Sequence, residues 1–120
     1  MSLVRCEQAV GPITLLELGE RLTVENIPEL RDVFEKLEVQ GRKFLLFECS
    51  RVRVVDSLGI GALVTNWVSL NKRGGTLKLV NPSARLREVL EVVRLHKVIE
   101  CFDDIGVALR SFDQRLPDLA

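Results

Sequence analysis

The sequence predicts an α/β fold, a mixed central sheet of four to five strands with about four helices packed mainly on one face. Three observations carry that expectation. From residue 26 onward, short β-rich runs alternate with helix-period stretches, a pattern that calls for crossovers into a partly parallel sheet. The run from Phe44 to Cys49 is apolar except at Glu48, as suits a strand buried on both faces. The first 24 residues read as two strands meeting at a Gly11–Pro12 turn, which a hairpin satisfies most simply. A chain of 120 residues fits one compact domain, expected over 1–120 with its core at about 3–112.

Each element follows from local chemistry. Val4, Cys6 and Gln8 alternate with Arg5 and Glu7, and Ile13, Leu15, Leu16 and Leu18 form the second strand up to Gly19. Asn26 is a suitable cap for a first helix, with Pro28 in its first turn, where a missing N–H costs nothing. Ile27, Leu30, Phe34 and Leu37 then fall at helical spacing, and Gly41 ends the helix. Val52, Val54 and Val55 continue the extended run of the third strand until Asp56–Ser57 closes it. Ile60, Leu63, Val64, Trp67 and Val68 match the template of a second amphipathic helix, stopped at Lys72-Arg73-Gly74-Gly75. Thr76 to Val80 reads as a strand. Asn81 and Pro82 open a third helix with the stripe Leu86, Val89, Leu90 and Val93, Val98–Ile99 form a brief edge strand, and Asp103 or Asp104 caps a last helix. The tail 114–120, with Pro117, is expected to fray.

Composition narrows the function. Lys and Arg total 17 and Asp and Glu total 17, so the chain carries no net charge to favour a nucleic acid, and no nucleic-acid partner is expected. No apolar stretch approaches the roughly 20 residues that span a bilayer, and no secretory signal pattern opens the chain, so a cytoplasmic protein without membrane insertion is expected. The three cysteines, Cys6, Cys49 and Cys101, have no metal or redox spacing and read as reduced thiols. With one His and no Tyr, neither a His-based metal cluster nor a Ser-His-Asp triad can be assembled on plausible lines, so no cofactor, metal or enzyme activity is expected.

The most informative segment is Asp56-Ser57-Leu58-Gly59-Ile60-Gly61, where a strand hands over to a helix. Ser57 there admits two readings, a helix cap or an exposed modification site; no Glu or Gln follows three residues later to complete a capping box. Asp56 reads as a turn residue or as a base in a partner's reaction. Gly59 and Gly61 resemble a fragment of a phosphate loop, but without a Walker Lys they fit a close backbone approach to a partner better. Leu58, Ala62, Thr65 and Ser69 form a second stripe on the same helix, either a docking surface or ordinary packing. Trp67 belongs to the core, and Arg51 and Arg53 face solvent near the junction.

The segment Val54-Val55-Asp56-Ser57-Leu58-Gly59-Ile60-Gly61 resembles the hallmark of STAS domains of bacterial anti-sigma factor antagonists. Pro28-Glu29-Leu30-Arg31, Gly74 to Val80 and Leu95-His96-Lys97-Val98-Ile99 fit the same family in order and spacing, so the resemblance spans about residues 3–112. It implies a phosphorylation-switched protein-binding module that sequesters an anti-sigma factor with serine kinase activity and so regulates transcription. Ser57 would be the phosphorylated residue, and a PP2C-type phosphatase would restore the binding form. The implied partner surface comprises Asp56, Ser57, Leu58, Gly59, Gly61, Ala62, Thr65 and Thr23. At position 23 many family members carry an acidic residue associated with partner recognition, and Leu58 replaces a residue that is often small or hydroxylated. The alternative within the family is a STAS subunit of a membrane transport complex or signalling scaffold.

Overall fold

The computed structural model describes residues 2–114, so the tail expected to fray lies outside the described residues except for Gln114 at its start. Among the described residues seven strands and four α-helices follow in the order β1 (Val4–Val10), β2 (Ile13–Leu18), β3 (Arg21–Leu22), α1 (Ile27–Val39), β4 (Phe44–Glu48), β5 (Val54–Val55), α2 (Ser57–Lys72), β6 (Thr76–Val80), α3 (Ala84–Val92), β7 (Cys101–Phe102) and α4 (Ile105–Ser111). Five of the strands form one mixed sheet in the order β1-β2-β4-β6-β7, with β1–β2 antiparallel and the other pairs parallel. The expected hairpin is present. Val10 pairs with Ile13, and Gly11, at φ +59, supplies the left-handed residue that so tight a turn requires.

Central strand β4 shows how the sheet is covered. Leu45 and Phe47 point to one face, where they join Leu16, Leu77 and Leu79 beneath Leu30, Leu37, Leu63 and Leu90. Phe44 and Leu46 point to the other, where Ala108 and Phe112 pack on them. Helices α1, α2 and α3 therefore share one face, and α4 covers part of the opposite one. A buried cation sits under α4. Lys78, 3% exposed, places its Nζ 3.1 Å from the Ser111 carbonyl, 2.9 Å from Ser111 Oγ and 4.7 Å from the centre of the Phe112 ring. Its charge thus meets the negative end of α4 and an aromatic face, with the Glu100 carboxylate 3.4 Å away.

Four expectations need correction. The third strand does not run on to Val55. The chain turns after Cys49, where the Val52 N–H donates to the Cys49 carbonyl, and β5 pairs instead with β3 in a separate parallel two-stranded sheet. Asn26 caps nothing with its side chain; it accepts a hydrogen bond from the Thr23 hydroxyl, because a 3-10 turn over Val24–Asn26 precedes α1. Asn81 stands in the left-handed region at φ +52 and bonds Glu48, so Ser83, not Asn81, caps α3, its Oγ accepting from the Leu86 N–H. The edge strand falls at Cys101–Phe102, since residues 95–97 wind into a 3-10 turn and Val98–Ile99 close it by donating to the Leu95 carbonyl. Of the two proposed caps for the last helix, Asp104 makes the bond, to the Val107 N–H.

The start of the chain is tied down by one carboxylate. Glu29, in the first turn of α1, accepts from the Ser2 hydroxyl, the Leu3 N–H at 2.6 Å and the Val4 N–H at 3.0 Å, while the Leu3 side chain is buried in the main core. Burial acts to raise the Glu29 pKa, but these bonds outweigh it and hold the carboxyl below its usual value. A lowered pKa contributes stability above the unfolded-state value, and that contribution is lost as pH falls through the folded-state value. Glu29→Gln should lower the melting temperature by about 5 °C at neutral pH, with the gap from wild type narrowing steadily on acidification when both are followed by circular dichroism. Lys78→Ala should cost about 2 kcal/mol in urea unfolding, through the vacated volume and an unpaired Ser111 carbonyl.

Candidate functional site

Helix α2 begins at the junction singled out by the sequence, and the cap is Asp56, not Ser57. Asp56 is extended, with φ −118 and ψ 172, and its Oδ1 accepts from the Gly59 N–H at 2.7 Å. Its other oxygen, Oδ2, accepts from the Val24 N–H at 3.0 Å, across the space between α2 and the loop that follows β3. The Val24 and Gly59 N–H groups hold the Asp56 carboxyl below the usual carboxylate range, against a small opposing effect of burial. Asp56 therefore does the work of a turn residue, capping one helix and fastening a loop to it.

This arrangement releases Ser57. The residue occupies the first position of the helix, is exposed, and among the described residues has no partner for its hydroxyl. Leu58 beside it is 55% exposed, large for an apolar side chain. Val24 in the loop after β3 and Val54 in β5, at 49% and 40%, are exposed apolar residues of the segments that adjoin the start of α2. Arg53 is exposed, and Arg51 is exposed while lying 3.5 Å from Glu17.

The two glycines of the segment do different things. A Cβ on Gly59 would stand 2.1 Å from the Leu22 carbonyl oxygen, so the close backbone approach is to the chain's own β3 and not to a partner. Gly61 has nothing within 4 Å of where its Cβ would be. It opens the floor of a groove of about 400 Å3 between α1 and α2. From α2 the groove takes Leu58, Gly61, Ala62 and Thr65, and Asn66 beyond them. From α1 it takes Ile27, Leu30 and Arg31. Ala62 also touches the main core, so the stripe serves both packing and an open surface. Ser69 is exposed but is not among the groove's lining residues.

Leu58, Gly61, Ala62 and Thr65 thus line one side of α2, Asp56 and Ser57 stand at its start, and two expected residues are not available there. Thr23 is 5% exposed and spends its hydroxyl on Asn26, and Gly59 is buried. The α1 wall was not anticipated as part of the site. The sequence reads Arg31 on the face opposite Ile27, Leu30, Phe34 and Leu37, and the structure corrects that by setting it beside Ile27 and Leu30, at the i, i+4 spacing from Ile27 that could have shown it.

Among the described residues no group of His, Cys, Asp or Glu suits a metal ion, and no helix is long and apolar enough to cross a membrane. The geometry offers a surface for another molecule around one free hydroxyl.

Known proteins share this plan. The chain is 30% identical to the anti-sigma-B factor antagonist of Bacillus subtilis over 71% of its length and 77% of the relative's. It is 28% identical to a Thermotoga neapolitana protein named as an anti-sigma factor antagonist, over 88% of this chain and 95% of the other. The fold superimposes on a crystal structure of a Thermotoga maritima protein named in the same way, with a TM-score of 0.82 at 24% identity over 88% and 92% of the two chains. A sulfate transporter family protein of Wolinella succinogenes is also similar, with a TM-score of 0.76 at 25% identity over 90% and 91%. The STAS domain model matches residues 7–108, from the middle of β1 into α4 and across the Asp56–Gly61 segment. The family match and the sequence identity agree, and this chain belongs to the STAS domain family.

Proposed function

We propose that this protein is an anti-sigma factor antagonist that works as a phosphorylation-controlled binding switch in the cytoplasm. In its unmodified form it holds an anti-sigma factor with serine kinase activity against the first turns of α2, and the sigma factor is left free to direct transcription. Phosphate transferred to Ser57 ends the complex, and a PP2C-type phosphatase regenerates the binding form. The observation that carries this reading is the free, exposed Ser57 hydroxyl at a helix start whose cap is already supplied by Asp56.

The physics of release is local. A phosphate adds a charge of about −1.5 to −2. The α2 dipole tolerates an anion at this end, so the domain stays folded. The Gly59 N–H, however, is engaged by Asp56, so the new dianion stands beside a carboxylate and depends on water for much of its solvation. A partner seated on Leu58 and Val24 would have to remove that water. A penalty of about 3 kcal/mol weakens binding more than a hundredfold. The burial of Thr23 gives it a supporting role, and exposed Val24 and Glu25 take its place at the contact.

A second reading, a STAS subunit of a membrane transport complex or signalling scaffold, draws support from the Wolinella succinogenes similarity. Neighbouring genes separate the two, a kinase-type anti-sigma factor supporting the first and a permease with an ATPase the second.

With the anti-sigma factor identified from the neighbouring genes, Ser57→Asp should lose at least about a hundredfold in affinity by calorimetry, while Ser57→Ala binds like wild type and resists release by ATP. Equal binding of the two variants is incompatible with the switch. The glycines give a control for fold against function. Gly59→Ala should destabilise the protein by about 2 kcal/mol because the Leu22 loop must move, whereas Gly61→Ala should stabilise it by about 0.5–1 kcal/mol in chemical denaturation.

A further inference from the structure

The groove between α1 and α2 has a chemistry that goes beyond a place to dock. Its walls are apolar or small, with Ile27 and Leu30 on one side and Leu58 and Ala62 on the other. The polar side chains of α2 that reach it are partly spent, Thr65 Oγ1 on the Gly61 carbonyl at 2.9 Å and Asn66 Nδ2 on the Ala62 carbonyl at 2.8 Å. Arg31 is the one charged residue in the lining. Two other cations are paired, Lys36 with Glu7 at 2.7 Å and Arg21 with Glu25 at 3.7 Å, while Arg53, which does not line the groove, has no ion-pair partner among the described residues. Among the described residues Arg31 has no ion-pair partner, and Glu35, one turn further along α1, does not provide one.

We propose that this groove selects a partner segment presenting an apolar side chain together with a carboxylate one helical turn away, the apolar group over Gly61 and the carboxylate on the Arg31 guanidinium. The occupant is a protein edge, because the groove is shallow and continuous with exposed Leu58 at the switch. Guanidinium and carboxylate match in charge and geometry, and because Arg31 is exposed the pair contributes selectivity more than affinity. The proposal rests on the switch reading for the identity of the partner, but the selectivity of the groove belongs to this chain alone.

It also gives the phosphate a target. Leu58, which follows Ser57, lines the groove, so a dianion on Ser57 stands at its mouth. An acidic occupant is repelled by that charge, and a neutral apolar one is largely indifferent to it.

The test needs no natural partner. Two alanine-based helical peptides are titrated into the 15N-labelled full chain, one bearing a Leu–Glu pair at i, i+4 and the other Leu–Lys. The Leu–Glu peptide should shift the amides of Gly61, Thr65 and Asn66 and bind about fivefold tighter than Leu–Lys, equivalent to about 1 kcal/mol. Arg31→Glu should invert the preference, Ser57→Asp should reduce it, and Gly61→Leu, introduced where a Cβ meets nothing within 4 Å, should abolish the shifts from both peptides. Equal affinity of the two peptides, or shifts confined to other surfaces, overturns the proposal. So does micromolar binding of decanoate in the absence of peptide binding, which reassigns the groove to a free amphiphile. If the peptides show no preference while Ser57→Asp still releases the anti-sigma factor, the groove inference falls and the switch stands.

Discussion

One carboxylate organises the end of the molecule where α2 begins. Asp56 satisfies the Gly59 N–H at the start of α2 and, with its second oxygen, the Val24 N–H of a loop 32 residues earlier in the chain. The same contact zone holds the Gly59 Cα against the Leu22 carbonyl, where any side chain would collide, and aligns β3 with β5. A bond that looks like an ordinary helix cap thus decides what the next residue can do. Because the cap is already made, the Ser57 hydroxyl has no structural duty, and a group attached to it stands in solvent rather than in the core.

The surroundings then turn chemistry at one atom into a property of a surface. Leu58, Val24 and Val54 leave exposed apolar area on the segments that adjoin the start of α2, and α1 contributes a groove wall with a single cation. Binding at such a surface draws on burial, and a dianion placed in its middle opposes burial most directly. The rest of the fold keeps these parts in register. The parallel strands β2, β4 and β6 fix the positions of α1 and α2, Glu29 holds the chain's start on α1, and Lys78 anchors α4 on the far face, away from the groove.

Much of this was legible in the residues, for identifiable reasons. Strong periodicity located α1, α2 and the buried strand β4, and the Gly11–Pro12 turn located the hairpin, because each is decided by nearest neighbours along the chain. The errors fall where a distant partner overrides a local preference. Asn26 and Asn81 look like caps, but Thr23 and Glu48 claim their side chains. Val54 and Val55 look like the continuation of β4, yet β3 offers them a separate ladder. At the site itself, Asp56 and Ser57 adjoin and both can cap; only the three-dimensional position of the Val24 N–H decides for Asp56. Gly59 and Gly61 are two residues apart and indistinguishable by type, but one meets a carbonyl and the other open space. The α1 wall of the groove could not be paired with α2 from spacing alone, and Arg31, which reads as part of the opposite face, in fact lines it.

The central claim is that the Ser57 oxygen carries a regulatory phosphate in the living cell. Phosphosite mapping by mass spectrometry on the protein recovered from its native cell, with and without stress, tests this most directly. Phosphate on Ser57, at an occupancy that changes with conditions, is the expected result. A Ser57 that stays unmodified under every condition, including those in which the partner is released, contradicts the switch.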